Sequence, residues 1–230
     1  MSAREQILGG IRSGLGRGAL GPDRAAKLET RIRHPTVNLI PERSRLPHAA
    51  QVELFVRMAE AVSTSFSRVK SLAEVPGAVA DYLARHNLPP RVRMSPDPAL
   101  DRIPWNERPL LEIGRGRADP DDLASVTPCF AGIAETGTLM LASGAERPAT
   151  LNFLPDNHIV VLKTKDVIGT YEEGFARLRR PSGQPDASFM PRTVNFVTGP
   201  SRTADIELTL IMGAHGPRRL HVVLVDDEET

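Results

Sequence analysis

Phe196-Val-Thr-Gly-Pro-Ser-Arg-Thr-Ala-Asp-Ile-Glu207, followed by His215-Gly-Pro-Arg-Arg-Leu-His-Val-Val-Leu-Val-Asp226, is the stretch whose reading decides the fold. It reads as strand, tight turn, helix, second turn and strand, with strands over residues 194–198 and 220–225 and a helix over 204–212. Gly199 admits a positive φ or a close backbone approach, and Pro200 fixes φ and removes a donor, so the chain reverses there. Ser201 and Thr203 put hydroxyls at the start of the expected helix, with Asp205 in its first turn. Such side chains cap helices, and backbone N–H groups at a helix start also hold small anions.

Working outward, the same alternation continues upstream. Val52, Phe55, Val56, Ala59 and Val62 fall at core spacing and predict a helix over 50–63; a second helix spans 75–86, with Pro76 in its first turn. Short strands are expected over 68–72, 91–94 and 110–113, with Asp119 opening a brief helical segment. Residues 126–133 and 138–142 read as strands on either side of Ala134-Glu-Thr-Gly137, 158–163 as a buried strand and 165–179 as the following helix. Strands alternating with helices predict an α/β fold, a mainly parallel sheet covered on both faces in three α/β/α layers. At the N-terminus, Ser2 and Glu5 match a capping box, and Ile7, Leu8, Ile11 and Leu15 share one face of a helix over 2–15. Residues 16–48, rich in Gly, Pro and Arg with no steady period, read as an extended arm, giving a helix-and-arm segment over 1–48 and an α/β domain over 49–230.

The 230 residues suffice for one substantial core and an appendage. A net charge of +1, and ten aromatics that do not interleave with the arginines, argue against nucleic-acid binding. No apolar run approaches the ~18 residues of a membrane span, and the opening Met1-Ser-Ala-Arg-Glu-Gln lacks the apolar stretch of a secretory signal. A cytoplasmic setting is expected. The single cysteine, Cys129, excludes a disulfide within the chain, and an iron–sulfur cluster needs about four thiolates. No cofactor is expected on this chain; if it serves an electron-transfer system, the cluster must sit on another polypeptide.

Four strings, Ala134-Glu-Thr-Gly-Thr138, Leu154-Pro-Asp-Asn-His-Ile-Val-Val161, Gly199-Pro-Ser-Arg-Thr-Ala-Asp-Ile-Glu207 and His215-Gly-Pro217, occur in an order that resembles the lactate utilization protein C family (LutC/YkgG, the LUD domain). The resemblance is strong over residues 120–227 and holds only in outline before them. It implies a fold like that of the NagB/RpiA/CoA-transferase group. It also implies an accessory or substrate-handling subunit of a cytoplasmic iron–sulfur system that oxidises L-lactate to pyruvate, with the iron–sulfur lactate utilization proteins as partners. Self-association into a homo-oligomer stays open.

In an open parallel sheet, ligands collect beyond the carboxyl ends of the strands, and Gly199 to Thr203 is expected at such an end. Gly199, Ser201, Arg202, Thr203 and Asp205 are candidates to hold a carboxylate or phosphate, although Asp205 opposes a strongly anionic ligand unless it is turned away. Glu207, inside a helix apolar nearly all round, is either a desolvated catalytic carboxylate or a structural hydrogen-bonding group. Glu135, on a strand-to-strand turn with Thr136, Gly137 and Thr138, is either a nucleophile or general base, as in CoA-transferases that carry a glutamate on a related turn, or part of a hydrogen-bonded turn. His215 is a candidate acid, base or anion contact. His158, His215 and His221 lack the spacing of a zinc signature, so no metal site is expected. The alternative to the accessory role is an autonomous transferase or isomerase acting through a turn glutamate on a small acyl, sugar-phosphate or folate-like substrate.

Overall fold

The computed structural model describes residues 2–16, 18, 20–37, 39–179, 191–203 and 211–226. The chain forms two compact units, Met1–Leu39 and Ile40–Thr230.

The first unit contains helices α1 (Ala3–Gly14) and α2 (Pro22–Arg33). The capping box at the start of α1 is present: Ser2 N–H donates to the Glu5 carboxylate at 2.7 Å, and Glu5 N–H donates to Ser2 Oγ at 3.3 Å. Helix α2 lies in the stretch expected to be extended. Pro22 occupies its first turn, where a missing N–H costs little, so the Gly-Pro pair that reads as loop composition is here a helix start.

The second unit opens with α3 (His48–Glu60), β1 (Ser65–Val69), α4 (Val75–Arg85), β2 (Arg91–Met94), α5 (Pro98–Asp101) and β3 (Glu112–Arg115). There follow β4 (Ala124–Pro128), β5 (Ala131–Ile133), β6 (Thr138–Ala142), α6 (Thr150–Phe153), β7 (Asn157–Lys163), β8 (Val167–Ile168) and α7 (Tyr171–Arg179). The described chain ends with β9 (Val194–Val197), β10 (Arg202–Thr203), β11 (Ile211–Met212) and β12 (Arg219–Val225).

Six strands form one parallel sheet in the order β1-β12-β7-β4-β2-β3. Strands buried on both faces read as continuous apolar runs, and β7 and β12 do. Ile159, Val161, Val223 and Val225 pack with Val75, Val79, Tyr82 and Leu83 of α4. Their neighbours Val160, Leu162, Val222 and Leu224 pack on the other face with Val52, Leu54 and Phe55 of α3. The α/β class with a mainly parallel, doubly covered sheet is thus what the sequence predicts.

A second sheet, in the order β8-β5-β6-β9, lies on the α3 side. Leu139 and Leu141 of β6 join the core under the parallel sheet, while Met140 between them turns to Ala131, Ile133 and the Tyr171 and Leu178 side chains of α7. The one strand expected over 126–133 is therefore two. Cys129 N–H donates to Val161 O at 3.0 Å, and Phe130 N–H donates to Met140 O at 3.1 Å, so the chain changes sheets between consecutive residues just after Pro128.

Three further expectations are corrected. Residues 119–122 form a turn, closed by Asp122 N–H to Asp119 O at 3.1 Å. Residues 165–179 split into β8 and α7. Of the helix expected over 204–212, Ile211–Met212 is instead a strand paired antiparallel with Arg202–Thr203, and residues 204–210 lie outside the described residues.

Candidate functional site

The β5–β6 hairpin turns at Ala134 to Gly137. Glu135 N–H donates to Gly169 O at 3.1 Å, which draws the side chain against the start of α7. The residue is 7% exposed, and its Oε2 has no hydrogen-bond partner. Burial, then the nearby Glu172 carboxylate, raises its pKa above the usual carboxylate range; Arg43 and the Tyr171 N–H oppose the shift without cancelling it. A carboxylate so placed favours its protonated form and is suited to moving a proton.

Gly137 has φ 66°, and a Cβ there would lie 2.3 Å from Ala59 N in the last turn of α3. Gly199 has φ 79°, and its Cβ would lie 2.4 Å from the carbonyl oxygen of Val62, just beyond the same helix. Only glycine meets both the backbone angle and the space at these positions. The C-terminal end of α3 is therefore a common seat for the acidic hairpin and the Gly-Pro elbow.

Four hydroxyls join the two turns. Thr136 Oγ1 lies 2.7 Å from Thr138 Oγ1, and the Tyr171 hydroxyl lies 3.0 Å from each. Thr138 Oγ1 is in turn 2.7 Å from Thr198 Oγ1, immediately before the elbow. The β6–β9 pairing sets this approach, since Leu139 is registered with Val197.

The elbow borders a cleft of about 230 Å³ whose walls include Phe153, Phe196, Thr198, Ser201, Arg202 and His215. Gly199 lines it as well, so four candidates from two separate strings of the sequence come together. Glu135, Thr136, Gly137 and Thr138 do not line it; they stand behind it, with Thr138 touching Thr198. Thr203 is buried in β10, and Asp205 and Glu207 lie outside the described residues.

The geometry changes the chemistry expected of the elbow. Arg202 and Thr203 are extended, so the backbone N–H groups just after the elbow belong to a strand rather than to a helix start. Ser201 N–H already donates to Pro217 O at 2.8 Å, and Ser201 Oγ accepts from His215 N–H at 3.2 Å. The polar residues lining the cleft are Thr198, whose hydroxyl is bonded to Thr138, Ser201, and the exposed Arg202 and His215. Nor does the cleft stand at the carboxyl ends of the parallel strands. Leu220, near the amino end of β12, lines it beside α6, which leads into β7; β9, which feeds the elbow, belongs to the second sheet.

Of the other histidines, His158 is fully buried, with Nε2 2.7 Å from Thr127 Oγ1, and burial lowers its pKa to about 3. It packs in the core rather than joining His215. The residues that sequence reasoning missed are Tyr171, Thr198, Phe153 and Phe196. Tyr171, Phe153 and Phe196 come from three different elements, α7, α6 and β9, and Thr198 follows β9; Phe196 and Thr198 stand in the elbow string itself, where their residue types carry no signal of a site.

A family model described as the LUD domain matches residues 123–225, which include both turns and the described cleft walls. A solved structure of a DUF162 family protein from Deinococcus radiodurans superposes with a TM-score of 0.56 at 26% identity, covering 78% of this chain and 99% of that one. These define the class as LUD-domain α/β proteins. Lactate utilization protein C from Deinococcus radiodurans is 33% identical over 165 residues, 67% of this chain and 70% of that protein. The Geobacillus thermodenitrificans protein of the same name is 33% identical over 125 residues, 54% of this chain and 50% of its own length. The chain belongs to the lactate utilization protein C family.

Proposed function

We propose that this chain serves lactate utilization as a substrate-handling, non-redox subunit of a cytoplasmic iron–sulfur system that oxidises L-lactate to pyruvate. The carrying observation is the elbow cleft, whose lining brings together Arg202, His215, Thr198 and Ser201, residue types suited to a small carboxylate. Arg202 would hold the carboxylate, the hydroxyls its oxygens, and His215 the 2-hydroxyl proton.

Oxidising lactate to pyruvate also removes two electrons, and the donor set here does not fit an iron–sulfur acceptor. The one thiol donates inward from Cys129 Sγ to Ala131 O at 3.1 Å, and burial pushes its pKa up to about 12. It is a poor thiolate ligand. The cluster is accordingly assigned to a partner, in keeping with relatives named lactate utilization protein C.

Reconstitution with the iron–sulfur partners tests this reading. L-lactate oxidation should fall when this chain is omitted and when Arg202→Ala or His215→Ala replaces it; equal rates without the chain would refute it. A second reading, an autonomous acyl or sugar-phosphate transferase, is favoured by the buried Glu135 carboxyl with its unpartnered oxygen. Turnover of such a substrate by the purified chain, lost in Glu135→Gln with the fold intact, would select it instead.

A further inference from the structure

A larger cleft, about 550 Å³, lies on the α4 side of the parallel sheet, independent of the elbow. Its walls include Ser67 and Val69 of β1, Gly77, Asp81 and Arg85 of α4, and Arg108. The Ser67 hydroxyl is not an isolated surface group. Its Oγ lies 3.1 Å from Nε2 of His221, a fully buried ring on the adjacent strand β12. The other ring nitrogen, Nδ1, lies 2.8 Å from Ser65 Oγ.

Ser65 Oγ reaches both the carbonyl of Leu220, at 3.4 Å, and Nδ1, at 2.8 Å, so the contacts are compatible with either ring tautomer. The tautomer a base at Nε2 requires is the one in which Ser65 O–H donates to the carbonyl and its oxygen accepts from Nδ1–H. Nε2 is then a lone pair, and Ser67 O–H donates to it. The ring is held from behind by stacking on Tyr82, with centroids 4.5 Å apart, and Tyr82 is fixed by its hydroxyl donating to Asn157 Oδ1 at 3.1 Å. Nucleophile, base and orienting group thus stand in the order used by hydroxyl nucleophiles, with Ser65 in the place more often taken by a carboxylate.

We propose that Ser67 is a nucleophile oriented by His221 and that this cleft takes carboxylic esters. Ser67 Oγ bonds to the ester carbonyl carbon while its proton passes to His221 Nε2. The bond from that carbon to the alkoxy oxygen breaks, and the alcohol leaves with the proton from Nε2. Water then attacks the acyl-serine, His221 takes its proton and returns it to Ser67, and the carboxylic acid departs. Arg85 and Arg108 have no ion pair among the described residues and line the wall where charge on the carbonyl oxygen develops. Burial keeps His221 neutral down to about pH 4, so Nε2 is free to accept at neutral pH, and also makes it a weak base. Acylation is therefore the step to observe.

The full chain, incubated with p-nitrophenyl acetate, should release p-nitrophenolate and carry one acetyl group mapped by peptide mass spectrometry to Ser67. Ser67→Ala should abolish that acetylation. Ser65→Ala, which frees Nδ1 without emptying the core, should slow it at least tenfold, the lower range of general-base effects being about a hundredfold. Acetyl groups confined to lysines or the amino terminus would overturn the proposal. So would p-nitrophenolate release unchanged in Ser67→Ala, or acetylation of Ser67 at an undiminished rate in Ser65→Ala.

Discussion

Thr138 Oγ1 lies 2.7 Å from Thr198 Oγ1, and this contact ties the hairpin that carries Glu135 to the elbow that borders the cleft. The bond spans two β-strands and 60 residues of sequence. If it couples the two turns, a double-mutant cycle of Thr138→Val and Thr198→Val should give an interaction of about 1 kcal/mol in denaturant unfolding, the typical net value of such a bond. Additive losses would mean that the turns are merely neighbours.

Gly137→Ala and Gly199→Ala should each destabilise the protein by about 2–5 kcal/mol. Left-handed backbone costs a non-glycine residue roughly 1–2 kcal/mol, and overpacking adds about 1–3. Each Cβ would sit within 2.4 Å of the backbone at the end of α3, which no rotamer change relieves. Urea midpoints measure the loss, and a change below 1 kcal/mol for either would show that α3 yields easily.

Glu135→Gln should raise stability at neutral pH, by about 1 kcal/mol as for an unsatisfied buried polar group. Its folded pKa is raised by burial above the unfolded value, so the native state holds a proton that the unfolded state has lost. Stability therefore falls as pH rises through that window, and the gain from glutamine should disappear in acid, where both states are protonated. Thermal melts at acidic and neutral pH separate these outcomes; equal shifts at both would deny the desolvated carboxyl.

His158 and His221 make the fold acid-labile. Burial lowers their pKa values to about 3 and about 4, so on acidification the unfolded state takes up protons that the native state refuses. Stability should decline from about pH 6.5, the unperturbed histidine value, down to those folded values, with at most about 1.4 kcal/mol per pH unit for each ring. In urea titrations across that range, His158→Gln should remove about half of the slope. An unchanged slope would place the acid sensitivity elsewhere.

Much of this architecture is legible in the chain because β7 and β12 are apolar on both faces, which only a covered parallel sheet demands. Arg91–Met94 emerges with its expected bounds. The second sheet is not legible: Pro128 interrupts the run from Val126 to Ile133, but nothing local reveals that hydrogen bonding passes from Val161 to Met140 between Cys129 and Phe130. At the site, Gly199 and His215 are found from their turns because turn residues act locally. Tyr171 and Phe196 are not, since their relation to the cleft, through rings 5.3 Å apart, arises only from tertiary packing. Ser201 is a related case: a hydroxyl after Gly-Pro suits a helix cap and a strand start equally, and the pairing of Arg202 with Met212 shows a strand directly after it.

Titrating L-lactate into the isotopically labelled full chain and following backbone amides by NMR tests the central claim most directly. The expected result is a saturable movement of Thr198, Gly199, Ser201 and His215 together, weakened at least tenfold in Arg202→Ala. Resonances that stay still at saturating lactate, or that move only at residues remote from the elbow, would contradict it.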